Sequence, residues 1–363
     1  LKTSTDATSN RCSASTPPAA RCSSSWAGRW TTDRRIAAGR RCGAGLLLLA
    51  LGACDAPPAD LSAEFSVFGS SLELQLRSTR PDRADRAIVE VGIAMQRLHR
   101  ELHPWEPGPL TDLNAALANG TAAPVDGTLA ELVLSGARLE QASRGYFNPA
   151  IGGLVRLWGF HTSDYPITLP PPAPVAIAAW LPPPSSTSLT LEDGWLSSTD
   201  TRVQLDFSGL AKGLAVREVC RILAAHDITR AMVNAGGDVA VCGADPRPWK
   251  IAIRAPAGGV YEVIEIDRPM AVFTSGNYHR YREFDGKRWS HLLDPSTGQP
   301  VAEIVQATVI DADPLKADAA ATALVVAGPL HWREVAASMG VSQAIVIDAS
   351  GRAHRFERGS VEY

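Results

Sequence analysis

Several short segments carry residue types that could do chemistry. In KRWSHLLDPSTGQPV, His291 stands between a strand-like stretch and an Asp-Pro-Ser-Thr-Gly corner, where proline fixes φ and glycine releases it. An imidazole titrating near ~6.5 suits a general base acting on a hydroxyl nucleophile, and a satisfied structural histidine is the alternative. In KADAAATALVVAG, Asp318 and Thr322 are four residues apart and so share one helical face. That pair supplies two hard oxygen ligands for Mg²⁺, or else belongs to an alanine-rich buried helix whose threonine bonds its own backbone.

The segment DFSGLAKGLA, from Asp206 to Ala215, leads a small flexible turn into a helix N-terminus. Free backbone N–H groups, the helix dipole and Lys212 would together favour an anion such as phosphate, although the spacing is not that of a Walker loop. A capped helix with a solvated lysine fits the same residues. In MVNAGGDVAV the paired glycines permit positive φ, which gives either a tight hairpin or a place where a ligand approaches the backbone closely.

These residues need elements to hold them. DAPPADLSAE, after Cys54, is expected to be a polar tether, and FSVFGSSLELQLRS alternates as a strand should. Ile88, Val91, Met95 and Leu98 recur at helical spacing, as do Leu129, Leu132, Val133 and Leu139. The proline triplets bounding residues 166–184 exclude regular helix and internal strand, so this stretch is expected to be a surface excursion with one short apolar piece. A helix over GLAKGLAVREVCRILAAH buries Leu210, Leu214, Val219, Ile222 and Leu223. Short strands dominate beyond it, followed by helices around Ala317 to Ala327 and Trp332 to Met339, and a closing strand, QAIVID. Strands and helices in separate runs indicate an α+β fold with mixed or antiparallel sheets, not a doubly wound parallel sheet.

The chain has 363 residues, 45% of them hydrophobic, and a net charge of −3. That balance argues against nucleic acid as a partner. Arg34, Arg35, Arg40 and Arg41 precede the apolar run Ala44 to Ala50, which is too short to span a bilayer and reads as a signal peptide over residues 34–53. Leu51-Gly52-Ala53-Cys54 resembles a bacterial lipobox, which would make Cys54 the lipid-bearing mature N-terminus, and Asp55 resembles an inner-membrane retention signal. An ordinary cleaved signal is the alternative. The expected organisation is a leader over 1–53, a lipidated tether over 54–64 and one two-lobed catalytic unit over 65–363. Cys220 and Cys242 remain for an oxidising compartment, as one disulfide or two buried thiols.

Five separated blocks, YFNPAIGGLVRLWGF, LDFSGLAKGLAV, VNAGGDVAV, FTSGNYHRYREFDGKRWSHLLDPSTGQPV and ADAAATAL, together resemble the ApbE family of flavin transferases, related to the T-fold. The resemblance implies Mg²⁺-dependent transfer of the FMN half of FAD to a Thr or Ser hydroxyl of another protein, with release of AMP. By similarity, Asp318, Thr322 and the Gly209 carbonyl would hold Mg²⁺ and His291 would be the base. Phe68, Trp105, Tyr146, Phe147, Asn148, Asp206, Lys212 and Leu292 would contact FAD. Three positions depart from the family pattern: Phe68-Gly69-Ser70 stands for Met-Gly-Thr, Ala321 for a second carboxylate of some members, and Asn148 for Asp. The expected setting is the periplasmic face of a Gram-negative inner membrane, with a subunit of a membrane redox complex as acceptor. The competing readings are a flavin-binding or scavenging lipoprotein without transfer activity, and an FAD pyrophosphatase.

Overall fold

The first alternating segment pairs with itself. In the computed structural model, which describes residues 59–359 apart from 79 and 126, β1 (Ala59–Val67) and β2 (Ser70–Ser78) form an antiparallel hairpin. Phe68 and Gly69 turn it, both at positive φ. This corrects two expectations: Ala59 to Glu64 belong to a strand, not a tether, and FSVFGSSLELQLRS is the end of β1, the turn and all of β2, not one strand. The lipobox and Cys54 lie outside the described residues.

The helices α1 (Pro81–Leu102) and α2 (Pro109–Ala118) follow, then β3 (Ala123–Pro124), α3 (Gly127–Ala142) and α4 (Gly152–Leu157). Contrary to the expectation of no regular helix in this stretch, a short helix α5 (Pro174–Ala178) fits between the proline triplets, because Pro174 occupies its first turn, where no N–H is needed. Next come β4 (Leu189–Glu192), β5 (Trp195–Ser198) and α6 (Ser208–Ala225). The strands β6 (Ala231–Ala235) and β7 (Asp238–Cys242) make the Gly-Gly hairpin that the sequence indicated. The rest comprises β8 (Trp249–Arg254), β9 (Val260–Ile266), β10 (Met270–Gly276), β11 (Tyr281–Phe284), β12 (Lys287–Ser290), β13 (Leu293–Asp294), β14 (Gln299–Pro300) and β15 (Ile304–Asp311). Then α7 (Pro314–Ser338), β16 (Gln343–Asp348) and β17 (Ala353–Glu357) close the described chain. Sequence reasoning missed α2 and β17. The two expected C-terminal helices are one element broken at Gly328, whose φ of 68° and following proline interrupt the ladder.

Eight strands form the central sheet in the order β1-β2-β6-β7-β10-β15-β16-β17, every neighbouring pair antiparallel. The fold is therefore α+β, as expected. Successive side chains of a strand point to opposite faces, and β7 shows the consequence. Val239 and Val241 pack with Trp249, Ile251 and Ile253 of the β8–β9 hairpin. Ala240 and Cys242 face the other way, into the main core with α6 and α7. Asp238 shares the parity of Ala240 and so points toward the helices. By the same rule Ser275 of β10 joins Ala271 and Phe273 on the helix side. A third cluster, built on Leu154, Trp158, Phe160, Ile177 and Leu293, supports the region of β11 to β14.

Cys220 of α6 and Cys242 of β7 form a disulfide, with Cα atoms 5.3 Å apart and a separation of 22 positions in sequence. Closing a loop of that length restricts the unfolded chain by about 3 kcal/mol. Replacing both cysteines by serine is expected to lower the unfolding free energy by about that amount in denaturant titrations.

Candidate active site

The N-terminus of α6 is where the candidate residues meet. Asp206 precedes it, and its Oδ1 accepts the Ser208 N–H at 2.8 Å and also the Ser208 hydroxyl, which fixes the first turn. Burial pushes the Asp206 carboxyl up, but hydrogen bonds from His161 and Ser208 outweigh it and hold the group below its ordinary value. One turn on, Gly209 packs so tightly that a Cβ there would lie 3.0 Å from the Phe147 ring and 3.7 Å from Thr322 Oγ1. That proximity brings the Gly209 backbone beside the α7 hydroxyl.

Helix α7 presents its face to the same point. Asp318 is 4% exposed, and its Oδ2 accepts the Gly213 N–H at 2.9 Å. Thr322 Oγ1 lies 3.1 Å from Ser275 Oγ of β10. Burial, helped by the like charge of Asp238, raises the Asp318 carboxyl to about 7 despite nearby Lys212. A carboxylate that retains a proton near neutrality is one that a divalent cation would relieve, and carboxylate, hydroxyl and carbonyl are hard donors that suit Mg²⁺. The contact between α6 and α7 depends on Gly213, where a Cβ would sit 2.5 Å from the Pro314 carbonyl oxygen. Gly213→Ala is expected to wedge the helices apart, costing about 1–3 kcal/mol of stability in denaturant unfolding and weakening metal binding with it.

Lys212 pairs with Asp238, whose other oxygen accepts the Thr274 N–H at 2.7 Å. Burial alone would lower the lysine, but the Asp238 and Asp318 carboxylates outweigh it, so Lys212 stays charged. Sequence reasoning placed Asp238 only in a hairpin. The available signal was an acidic residue heading an otherwise apolar, wholly buried strand, which needs a cationic partner.

His291 follows β12, half-buried, with the Phe160 ring edge-on at 6.4 Å between centroids. The Arg280 carbonyl oxygen lies 3.1 Å from both its backbone N and its Nδ1. A carbonyl only accepts, so Nδ1 carries the hydrogen and Nε2 keeps its lone pair. Burial, then the charges of Arg280 and Lys212, push His291 down to about 3. It is therefore neutral across the physiological range, the form a base requires. Since Lys212 acts on both Asp318 and His291, the two lie in one electrostatic neighbourhood. The cleft of about 290 Å³ lined by Asp294, Val301, Glu303 and Gly328 contains none of these groups.

A row of rings flanks the site. Phe68 donates its N–H to His99 Nδ1 at 3.2 Å, His99 meets His103 edge-on at 5.3 Å, and His103 meets Trp105 at 4.5 Å. Trp105 stacks on His161 at 5.4 Å, and His161 Nε2 reaches Asp206 Oδ2 at 3.0 Å. Phe68, Trp105 and Asp206 thus share one wall despite their separation in sequence. His99, His103 and Glu106 have a spacing that could hold a metal ion. Both imidazoles, however, accept backbone N–H groups at Nδ1, from Phe68 and from Glu106. The hydrogen of each neutral ring is then on Nε2, where a metal would need a lone pair.

Three candidates have side chains engaged within the protein itself. The Phe147 ring is 5% exposed in the main core, under Gly209. Asn148 accepts from the Ala150 N–H and donates to the Pro184 carbonyl, so its amide anchors the loop after α5. Leu292 is buried at 7% beside His291. The Tyr146 ring stacks against His331 of α7 at 6.1 Å.

A family model described as the ApbE family matches residues 68–346. The chain belongs to the ApbE family. It is 39% identical over 336 residues to a Rhodobacter capsulatus protein named FAD:protein FMN transferase, covering 91% of this chain and 64% of that one. A Vibrio cholerae protein of the same name is 29% identical over 313 residues, with 83% and 91% covered. Among solved structures, the ApbE protein of Thermotoga maritima superposes with a TM-score of 0.73 at 28% identity, covering 82% of this chain and 97% of that one. The apo form of the Pseudomonas stutzeri flavinyl transferase ApbE gives 0.72 at 30%, with 84% and 95% covered. The chain thus spans less than two thirds of the length of its R. capsulatus relative. The ApbE match begins at Phe68, in the hairpin turn, and ends within β16, so it takes in every site residue discussed above.

Proposed function

We propose that this ApbE chain transfers the FMN half of FAD to a Thr or Ser hydroxyl of an acceptor protein, with Mg²⁺ and with release of AMP. The observation that carries this reading is the meeting of three hard oxygen donors, Lys212 and a neutral His291 around the N-terminus of α6. The Gly209 carbonyl, Asp318 and Thr322 would hold Mg²⁺, which when bound would offset pyrophosphate charge. His291 Nε2 takes the proton of the acceptor hydroxyl as its oxygen attacks the flavin-side phosphorus. The bond from that phosphorus to the bridging oxygen breaks, and AMP leaves with the electron pair. Lys212, kept charged by its carboxylate partners, favours the anionic substrate at the helix N-terminus. Trp105, 37% exposed, offers a face on which a flat ring of FAD stacks.

The names of the relatives and their solved structures support flavin transfer. The lipid anchor at Cys54, the periplasmic face of the inner membrane and an acceptor within a membrane redox complex remain part of the proposal on the sequence signals alone. Incubation with FAD, Mg²⁺ and a candidate acceptor, read by mass spectrometry, tests the reaction. Transfer adds one FMN to the acceptor. Free FMN with an unmodified acceptor would replace this reading with a pyrophosphatase, and bound but intact FAD would replace it with a flavin-binding protein.

A further inference from the structure

His161 ends the row of rings and touches Asp206, yet no role has been assigned to it so far. We propose that His161 is a positioning residue for FAD: its Nε2–H holds the Asp206 carboxylate in place beneath the Trp105 platform, and Asp206 in turn sets the first turn of α6. The inference rests on the reading of FAD as substrate.

Both side chains of the pair are withdrawn from water, at 9% and 8% exposure, with 3.0 Å between Nε2 and Oδ2. Asp206 is ionised and only accepts, so Nε2 carries the hydrogen and the bond is charge-assisted. The other Asp206 oxygen is engaged by Ser208, so the carboxylate is clamped from both sides. Gly209 is the next residue after Ser208, and Lys212 lies one turn further along the same helix. Any rotation of Asp206 therefore shifts the turn that presents the Gly209 carbonyl.

The second ring nitrogen is informative. His161 Nδ1 is sealed from solvent and has no hydrogen-bond partner among the described residues. A histidine kept for structure uses both nitrogens when buried, because an orphaned polar atom costs free energy. Among the described residues the only polar bond of the ring goes to Asp206, while one ring face carries Trp105 at an interplanar angle of 24°. A single imidazole thus joins the surface that receives a flat ring to the helix end that receives phosphate.

His161→Phe keeps the stack, removes the orphaned nitrogen and releases Asp206. It is expected to lower thermal stability modestly, because the Asp206 carboxylate loses a buried partner, while weakening FAD binding of the folded protein roughly ten- to a hundred-fold, the size of a lost charge-assisted hydrogen bond. His161→Gln, which retains an N–H donor, should recover much of that loss. Binding is followed by tryptophan and flavin fluorescence without acceptor, so no turnover is needed. FAD affinity unchanged in His161→Phe, or a glutamine variant no better than the phenylalanine one, overturns the inference. If the phenylalanine variant does not fold, ¹⁵N NMR of the wild-type imidazole decides: an Nε2-protonated tautomer whose signals move on FAD addition is required, and signals indifferent to FAD reject it. Wild-type protein that binds no FAD would instead remove the functional reading itself.

Discussion

His291→Ala is expected to lower FMN transfer by roughly a hundred- to ten-thousand-fold, the range for losing a general base, with FAD affinity close to wild type. The two readouts separate because the imidazole is turned by the Arg280 carbonyl, whereas the ring platform and phosphate site are built from Trp105, Asp206 and α6. The pH dependence is distinctive. With its pKa at about 3, His291 in the free enzyme is neutral throughout the physiological range. At saturating Mg²⁺, where the titration of Asp318 no longer limits the rate, the profile of kcat/KM should therefore lack an acid limb near ~6.5, where an ordinary histidine titrates. A limb at that pH, absent in the alanine variant, would contradict the arrangement. The depression is that of the free enzyme, in which Arg280 and Lys212 lower the imidazole although Lys212 is itself paired with Asp238. A pyrophosphate beside Arg280 and Lys212 is expected to raise the imidazole and strengthen it as a base. The stability linkage has a definite sign: a folded pKa below the unfolded one makes the contribution of His291 present above ~6.5 and lost as pH falls toward about 3. Acid unfolding of the wild type should accordingly outpace that of His291→Ala.

The parts of this site that the sequence disclosed are those fixed by local chemistry. The Asp-Pro-Ser-Thr-Gly corner after His291, the Gly-Gly turn before Asp238 and the four-residue spacing of Asp318 and Thr322 each follow from backbone rules that act over a few residues. Relations between segments were legible only in part. Lys212 and Asp238 are 26 residues apart, and their pairing follows from strand parity in a sheet whose order no local signal states. Alternation of type along residues 65–78 gave a strand, but the bend at Phe68 depends on Gly69 adopting positive φ, and that glycine was the overlooked signal. His161 was invisible for a related reason. A lone histidine after Trp-Gly-Phe has no spacing partner, and its meaning comes from Asp206, 45 positions away. The Asn148 departure is explained locally: an amide can donate to Pro184 as well as accept from Ala150, which a carboxylate could not do.

Asp318→Asn is expected to raise the Mg²⁺ concentration needed for half-maximal transfer by roughly tenfold or more and to lower the rate at limiting metal in proportion, as loss of a charged ligand does. The proton is the competitor. Burial first, and the neighbouring Asp238 charge next, place the Asp318 carboxyl at about 7, against the opposing pull of Lys212 and the Gly213 N–H. Below that pH a cation must displace a proton, so the Mg²⁺ requirement of the wild type should rise about tenfold per pH unit, while that of the asparagine variant should not. Without metal the sign for folding is the reverse of an ordinary salt-bridged aspartate. A folded pKa above the unfolded value near ~3.9 gives a contribution that is full below that value and is lost as pH rises through about 7. Relative to Asp318→Asn, which shares the His291 contribution, metal-free wild type should thus lose stability between acid and neutral pH, and added Mg²⁺ should restore the wild type alone. A metal titration and a stability curve that both ignore this substitution would place the ion elsewhere, because no other described carboxylate shares the α7 face with Thr322 at the end of α6.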